Sequence, residues 1–119
     1  MAEKQRDIIE VEAERYQLEG RLGEARDRLA ILLEEARIAK VHKVAGLEVL
    51  ELSVLTGIQN QRVSISMLLA ESVGRLEKED KRVQLISKIV AAISEVGVLE
   101  EQLARVSASP EPPIARLKS

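Results

Sequence analysis

Apolar side chains recur alternately three and four residues apart through the first third of the chain. Ile8, Val11, Leu18, Leu22, Ala25, Leu29, Leu32, Ala36 and Ala39 follow one heptad, broken only at Arg15. That spacing predicts a long helix whose stripe packs along another helix as a coiled-coil seam. Arg15 can lay its aliphatic stem along the seam and keep its charged head in water, or it can mark the register. Glu24 precedes Arg28 by four residues, a stabilising order on a helix face. Gly20 and Gly23 each weaken a helix by about 1 kcal/mol relative to Ala. They mark either a close approach of a second helix or a soft spot.

Residues 74–107 repeat the pattern. Leu85, Ile89, Ala92, Val96, Leu99, Leu103 and Val106 form one stripe, and Leu76, Val83, Ile86, Val90 and Ile93 a second beside it. An apolar face widened in this way around residues 83–93 predicts contact with more than one helix. Pro110 ends the helix, and residues 108–119 read as a flexible, proline-containing tail.

The centre, residues 44–73, differs in kind. Its only charges are Glu48, Glu51, Arg62 and Glu71, whereas both flanking arms are densely charged. Two readings stand for residues 47–69. As helix, the apolar positions fall on more than one face, which predicts burial by several neighbours. As strands, Leu50, Leu52 and Val54 alternate with Glu51 and Ser53, and Val63, Ile65 and Met67 with Ser64 and Ser66, the period-two signal of a hairpin. Helix is favoured, because the helical period continues from both arms.

The fold expected is therefore all-α. Residues 1–43 form a first coiled-coil arm, the chain reverses near Gly57 in segment 44–73, and residues 74–107 return as an antiparallel arm. A reversal at Gly57 would set Leu18 opposite Val96, Leu22 opposite Ala92 and Leu29 opposite Leu85. The seam residues on this reading are Ile8, Val11, Leu18, Leu22, Leu29, Leu32, Leu85, Ile89, Val96, Leu99 and Leu103. Val49, Leu52, Leu55, Ile58, Val63, Ile65 and Leu69 form an apolar centre expected to join chains into an oligomeric bundle, a dimer by preference.

Composition narrows the function. Tyr16 is the only aromatic residue among 119, so the large residues of ligand pockets are missing. Both signs of charge are interspersed and the net charge is −2, unlike the basic stripe of a nucleic-acid binder. The longest apolar stretch, residues 44–58, is interrupted by Glu48 and Glu51 and is too short for a membrane span. With no cysteine and no leader-like N-terminus, the chain reads as a soluble cytoplasmic protein.

No catalytic, cofactor or metal constellation stands out. His42 is the only histidine and has no second ligand at helical spacing. Glu34–Glu35 and Glu100–Glu101 are adjacent pairs, which do not share one helix face. Gly20-Arg-Leu-Gly23 lacks the further glycine of a phosphate loop.

The layout of charged arm, central segment and returning arm is similar to that of prefoldin-type chaperone subunits. That resemblance implies a central β-hairpin between coiled-coil arms, although the glycine-bounded strands of such subunits are missing here. Charged helical hairpins of this kind also resemble accessory proteins of secretion and flagellar export. The function expected is a non-enzymatic structural or adaptor protein that self-associates through its apolar centre and binds another protein. A holdase chaperone or an export accessory subunit is the alternative.

Overall fold

A computed structural model describes residues 2–56 and 58–108, with side chains from residue 8 to residue 107. Gly57, at which the reversal was expected, and residues 109–119 of the expected tail lie outside the described residues. The described chain is all-α: α1 (Ala2–Ile38), α2 (Val41–Val44), α3 (Leu52–Leu55), α4 (Gln59–Val73) and α5 (Lys81–Ala108). No strand occurs among the described residues. The alternation around Leu52 and Val63 therefore belongs to helices, and the central β-hairpin of the prefoldin-like layout is not formed.

α1 has 37 residues. At about 1.5 Å per residue it is about 55 Å long, which accounts for most of a molecule measuring 61 × 23 × 21 Å. Leu18, Leu22, Ala25, Leu29, Leu33 and Ala36 are its buried positions. This stripe departs from the expected heptad after Leu29. Leu33 is 5% exposed, whereas Leu32 is only partly buried. A helix of 3.6 residues per turn drifts about 20° per heptad, so a four-residue step restores the stripe to the same face.

α1 ends where Lys40 takes a left-handed conformation with φ 58°. Beyond it Val41, Ala45, Leu50 and Leu55 join the core. Gly46, at φ 75°, supplies a second left-handed turn, which glycine adopts without strain. Arg75 Nη1 donates to the Val44 carbonyl at 2.9 Å and ties the end of α4 to this closed end of the bundle.

α5 packs against both α1 and α4. It runs antiparallel to α1, with Arg26 on Glu100 at 3.1 Å and Arg28 on Glu95 at 2.5 Å. This register corrects the expected one, in which Arg28 would stand beside Ile86 and Leu29 beside Leu85. The physical reason is α4. The chain does not fold back once at its midpoint; it returns along the bundle and inserts a third helix before α5 begins. Ile86, Ile89, Ile93, Val96 and Leu99 are consequently all buried, drawing on both expected stripes of α5.

Candidate interaction surface

α4 is buried along Arg62, Ile65, Leu69 and Ser72, a spacing of three, four and three that makes one helix face. Ile65 and Leu69 enter the core. Ser72, fully buried, satisfies its hydroxyl by donating to the Leu69 carbonyl at 2.6 Å. Arg62 is the charged member of this face, and its guanidinium is met by Glu100 at 2.5 Å. Glu100 also accepts from Arg26, so one carboxylate joins α1, α4 and α5. The Arg62–Glu100 pair is mostly out of solvent, the two side chains being 10% and 16% exposed. A desolvated charge needs such a partner.

The other side of α4 is open. With α5 it forms a shallow trough of about 460 Å³, walled by Val63, Ser66, Met67 and Ala70 of α4 and by Val90, Ile93, Ser94, Gly97 and Val98 of α5, with Gln59, Arg62 and Glu101 toward one end. Met67 is 59% exposed and Val63 53%. From Ile58 to Ala70 every exposed residue is uncharged: Ile58, Gln59, Asn60, Gln61, Val63, Ser64, Met67, Leu68 and Ala70. The whole chain is 32% charged. Depletion of charge together with exposed aliphatic side chains is the composition of an interface centre, not of a solvated face.

The expected interface residues separate into two groups. Leu55, Ile65 and Leu69 are buried and Leu52 is half-buried, so the chain itself covers these side chains. Ile58, Val63 and Val49 are exposed; Val63 lines the trough and Val49 lies in the connection before α3. Met67, Leu68 and Val98 are exposed apolar residues that the sequence reading did not single out. The signal was present in the low charge of residues 44–73, but not its orientation. Of the expected seam, Leu18, Leu22, Leu29, Ile89, Val96 and Leu99 are buried. Val11, Leu32, Leu85 and Leu103 are half-buried, and Ile8 is exposed. Arg15 is half-buried with its Nε unpartnered among the described residues.

Among the described residues, two carboxyl groups depart from their ordinary values. Asp80 falls from 3.8 to about 2, first through the Arg82 side chain and then through the Arg82 backbone N–H. Glu34 is lowered chiefly by its hydrogen bond from Arg37. Neither lies in the trough. No group of three His, Asp or Glu side chains among the described residues could hold a metal ion. Nor is any helix of the described residues long and apolar enough to cross a membrane.

In comparisons with family models, with curated proteins and with solved structures, nothing matches the chain.

Proposed function

We propose that the protein is a non-enzymatic helical adaptor. The α1–α5 pair, packed in the manner of a coiled coil, is its rigid body. The open face of α4 and α5 is its docking surface, and the ligand is a helix from another folded protein surface. The single observation that carries this reading is the uncharged exposed surface from Ile58 to Ala70, set beside an apolar trough on a chain otherwise covered with charge. A trough between two antiparallel helices has the shape that an amphipathic helix fills. The holdase alternative needs apolar surface spread along the arms. Ile8, Ile9, Tyr16, Ile31 and Ile38 are exposed at scattered positions along α1, but the α4–α5 face is more continuous and more sharply bounded, which favours one defined partner.

A photo-crosslinking amino acid in place of Met67 tests the reading in cells. Discrete protein adducts are expected at Met67, lost when Val63→Glu is added, and absent when the probe replaces Tyr16, which is 79% exposed on α1. Equal adducts at both positions, or none at Met67, would sink the adaptor reading.

A further inference from the structure

We propose that the occupant of the α4–α5 trough is a second copy of this chain, seated with α4 antiparallel to α4 about a two-fold axis. The proposal rests on the reading of that face as a docking surface and names its partner.

Three observations carry it. The first is charge. In a two-fold contact the residues nearest the axis meet their own images, so any formal charge there faces its like. The exposed residues from Ile58 to Ala70 carry none, and the nearest exposed charge on α4 is Glu71, more than one turn from the axis proposed below. Arg62, the nearest cation, is already turned toward α5 and bound to Glu100.

The second is shape. α4 is both a wall of the trough and a ridge beside it, so each copy offers the knob that the other lacks. α4 has 15 residues, Gln59–Val73, and its midpoint falls at Ser66. An axis between Ser66 and Met67 sets Val63 against Ala70 of the second copy, and Met67 against Ser66 of the second copy. Each contact places a large side chain on a small one, and symmetry makes each occur twice. Glu101, at the rim of the trough, is already paired with Arg105 at 2.8 Å on its own helix, so it brings no unpaired charge to the contact.

The third is area. A two-helix layer about 20 Å wide, taken along an α4 about 22 Å long, offers about 400 Å² per copy before the corrugation of its side chains is counted. The total, about 800 Å², lies below the roughly 1,200–2,000 Å² of stable specific interfaces and fits only a weak, transient contact. The dimer is therefore reversible: each copy folds alone, with Leu55, Ile65 and Leu69 closed inside its own core, and the copies meet as concentration rises.

Sedimentation equilibrium of the full chain, from micromolar to several hundred micromolar, tests the proposal together with two variants. The wild type should fit a monomer–dimer equilibrium. Val63→Glu alters an exposed position, so it should keep its helical circular dichroism while dimerisation weakens by about tenfold or more. Adding Ala70→Lys should recover dimerisation, because each new carboxylate then faces a new ammonium across the axis. Independently, Ser66→Cys in a chain without cysteine should form a disulfide-linked dimer on mild oxidation, whereas Tyr16→Cys should not. A dimer indifferent to Val63→Glu and unlinked by Ser66→Cys overturns both this proposal and the docking face itself. A wild type that stays monomeric throughout overturns the second-copy proposal alone, and the crosslinking at Met67 then decides the adaptor reading.

Discussion

Arg62 passes over Gly97. A Cβ added to Gly97 would stand 3.3 Å from Arg62 Nε, 3.7 Å from Nη2 and 3.8 Å from Cζ, so this part of the guanidinium rests on the one backbone position of α5 that has no side chain. From there Nη1 reaches Glu100, three residues and just under one helical turn further along α5. A glycine inside a helix destabilises it by about 1 kcal/mol relative to alanine; here it makes room for the only arginine of α4.

That relationship predicts non-additivity. Gly97→Ala gains helix propensity but pushes Arg62 off its bed, and the net change should be neutral or destabilising. In an Arg62→Ala background the obstruction is gone, and the same Gly97→Ala change should stabilise by about 1 kcal/mol. Urea unfolding of the four chains of this double-mutant cycle measures the coupling. Equal effects of Gly97→Ala in both backgrounds would show that the two residues act independently.

Glu100 should matter far more than Glu95, although both accept a hydrogen bond from α1. Glu95 and Arg28 are 48% and 58% exposed, and such surface pairs contribute about 0–1 kcal/mol. Glu100 serves two arginines, and one of them is buried. Glu100→Gln leaves Arg62 desolvated without a counter-charge and should destabilise by about 2–3 kcal/mol. Chemical denaturation of Glu100→Gln beside Glu95→Gln checks this. Similar losses would mean that solvent reaches Arg62 and screens it.

This clasp explains how far the fold was legible in the sequence. The helices of α1 and α5 follow from their three-four spacing, because that period alone predicts one buried stripe per helix. The register between them does not follow. It depends on where α4 sits, and α4 reads ambiguously because Val63, Ser64, Ile65 and Ser66 suit strand and helix alike. Its helical state comes from burial of Ile65 and Leu69 in the core, where α4 packs on α5, which no local pattern contains. The expected interface residues divide between core and surface for the same reason. An apolar residue such as Leu55 looks like surplus when two helices are counted and is core when there are three. Gly97 and Glu100 carried no recognisable spacing, since their partner Arg62 is 38 residues away from Glu100.

Gly20 and Gly23 resolve differently from Gly97. A Cβ at either would meet nothing within 4 Å, so no close approach explains them and they are soft points in α1. Gly20→Ala and Gly23→Ala should each stabilise the chain by about 1 kcal/mol. Their effects should be separable from everything at the α4–α5 face. Thermal unfolding by circular dichroism measures the gain, and amide exchange along residues 15–25 should slow in step with it. A loss of stability in either variant would point to an unrecognised contact at that position.

The start of α5 should carry a pH dependence of its own. Asp80 stands just before Lys81 and accepts from the Arg82 backbone N–H at 2.9 Å, the geometry of a helix N-cap. The same carboxylate is forked by Arg82 Nε at 3.0 Å and Nη2 at 2.6 Å. Both contacts favour the ionised form and lower its pKa from 3.8 to about 2. A folded-state value below the unfolded one means that this stabilisation is complete above about pH 4 and is lost as pH falls from there toward 2. Asp80→Asn keeps a capping side chain but removes the charge. The wild type should therefore melt at a higher temperature than Asp80→Asn at neutral pH, and the gap should close between pH 4 and pH 2. Comparing the two chains isolates Asp80 from the other carboxylates of the chain. The gap should also narrow with added salt, because the pair is near the surface. If the two melting curves keep a constant separation down to pH 2, the Arg82 fork does not hold Asp80 ionised, and the start of α5 depends on the cap alone.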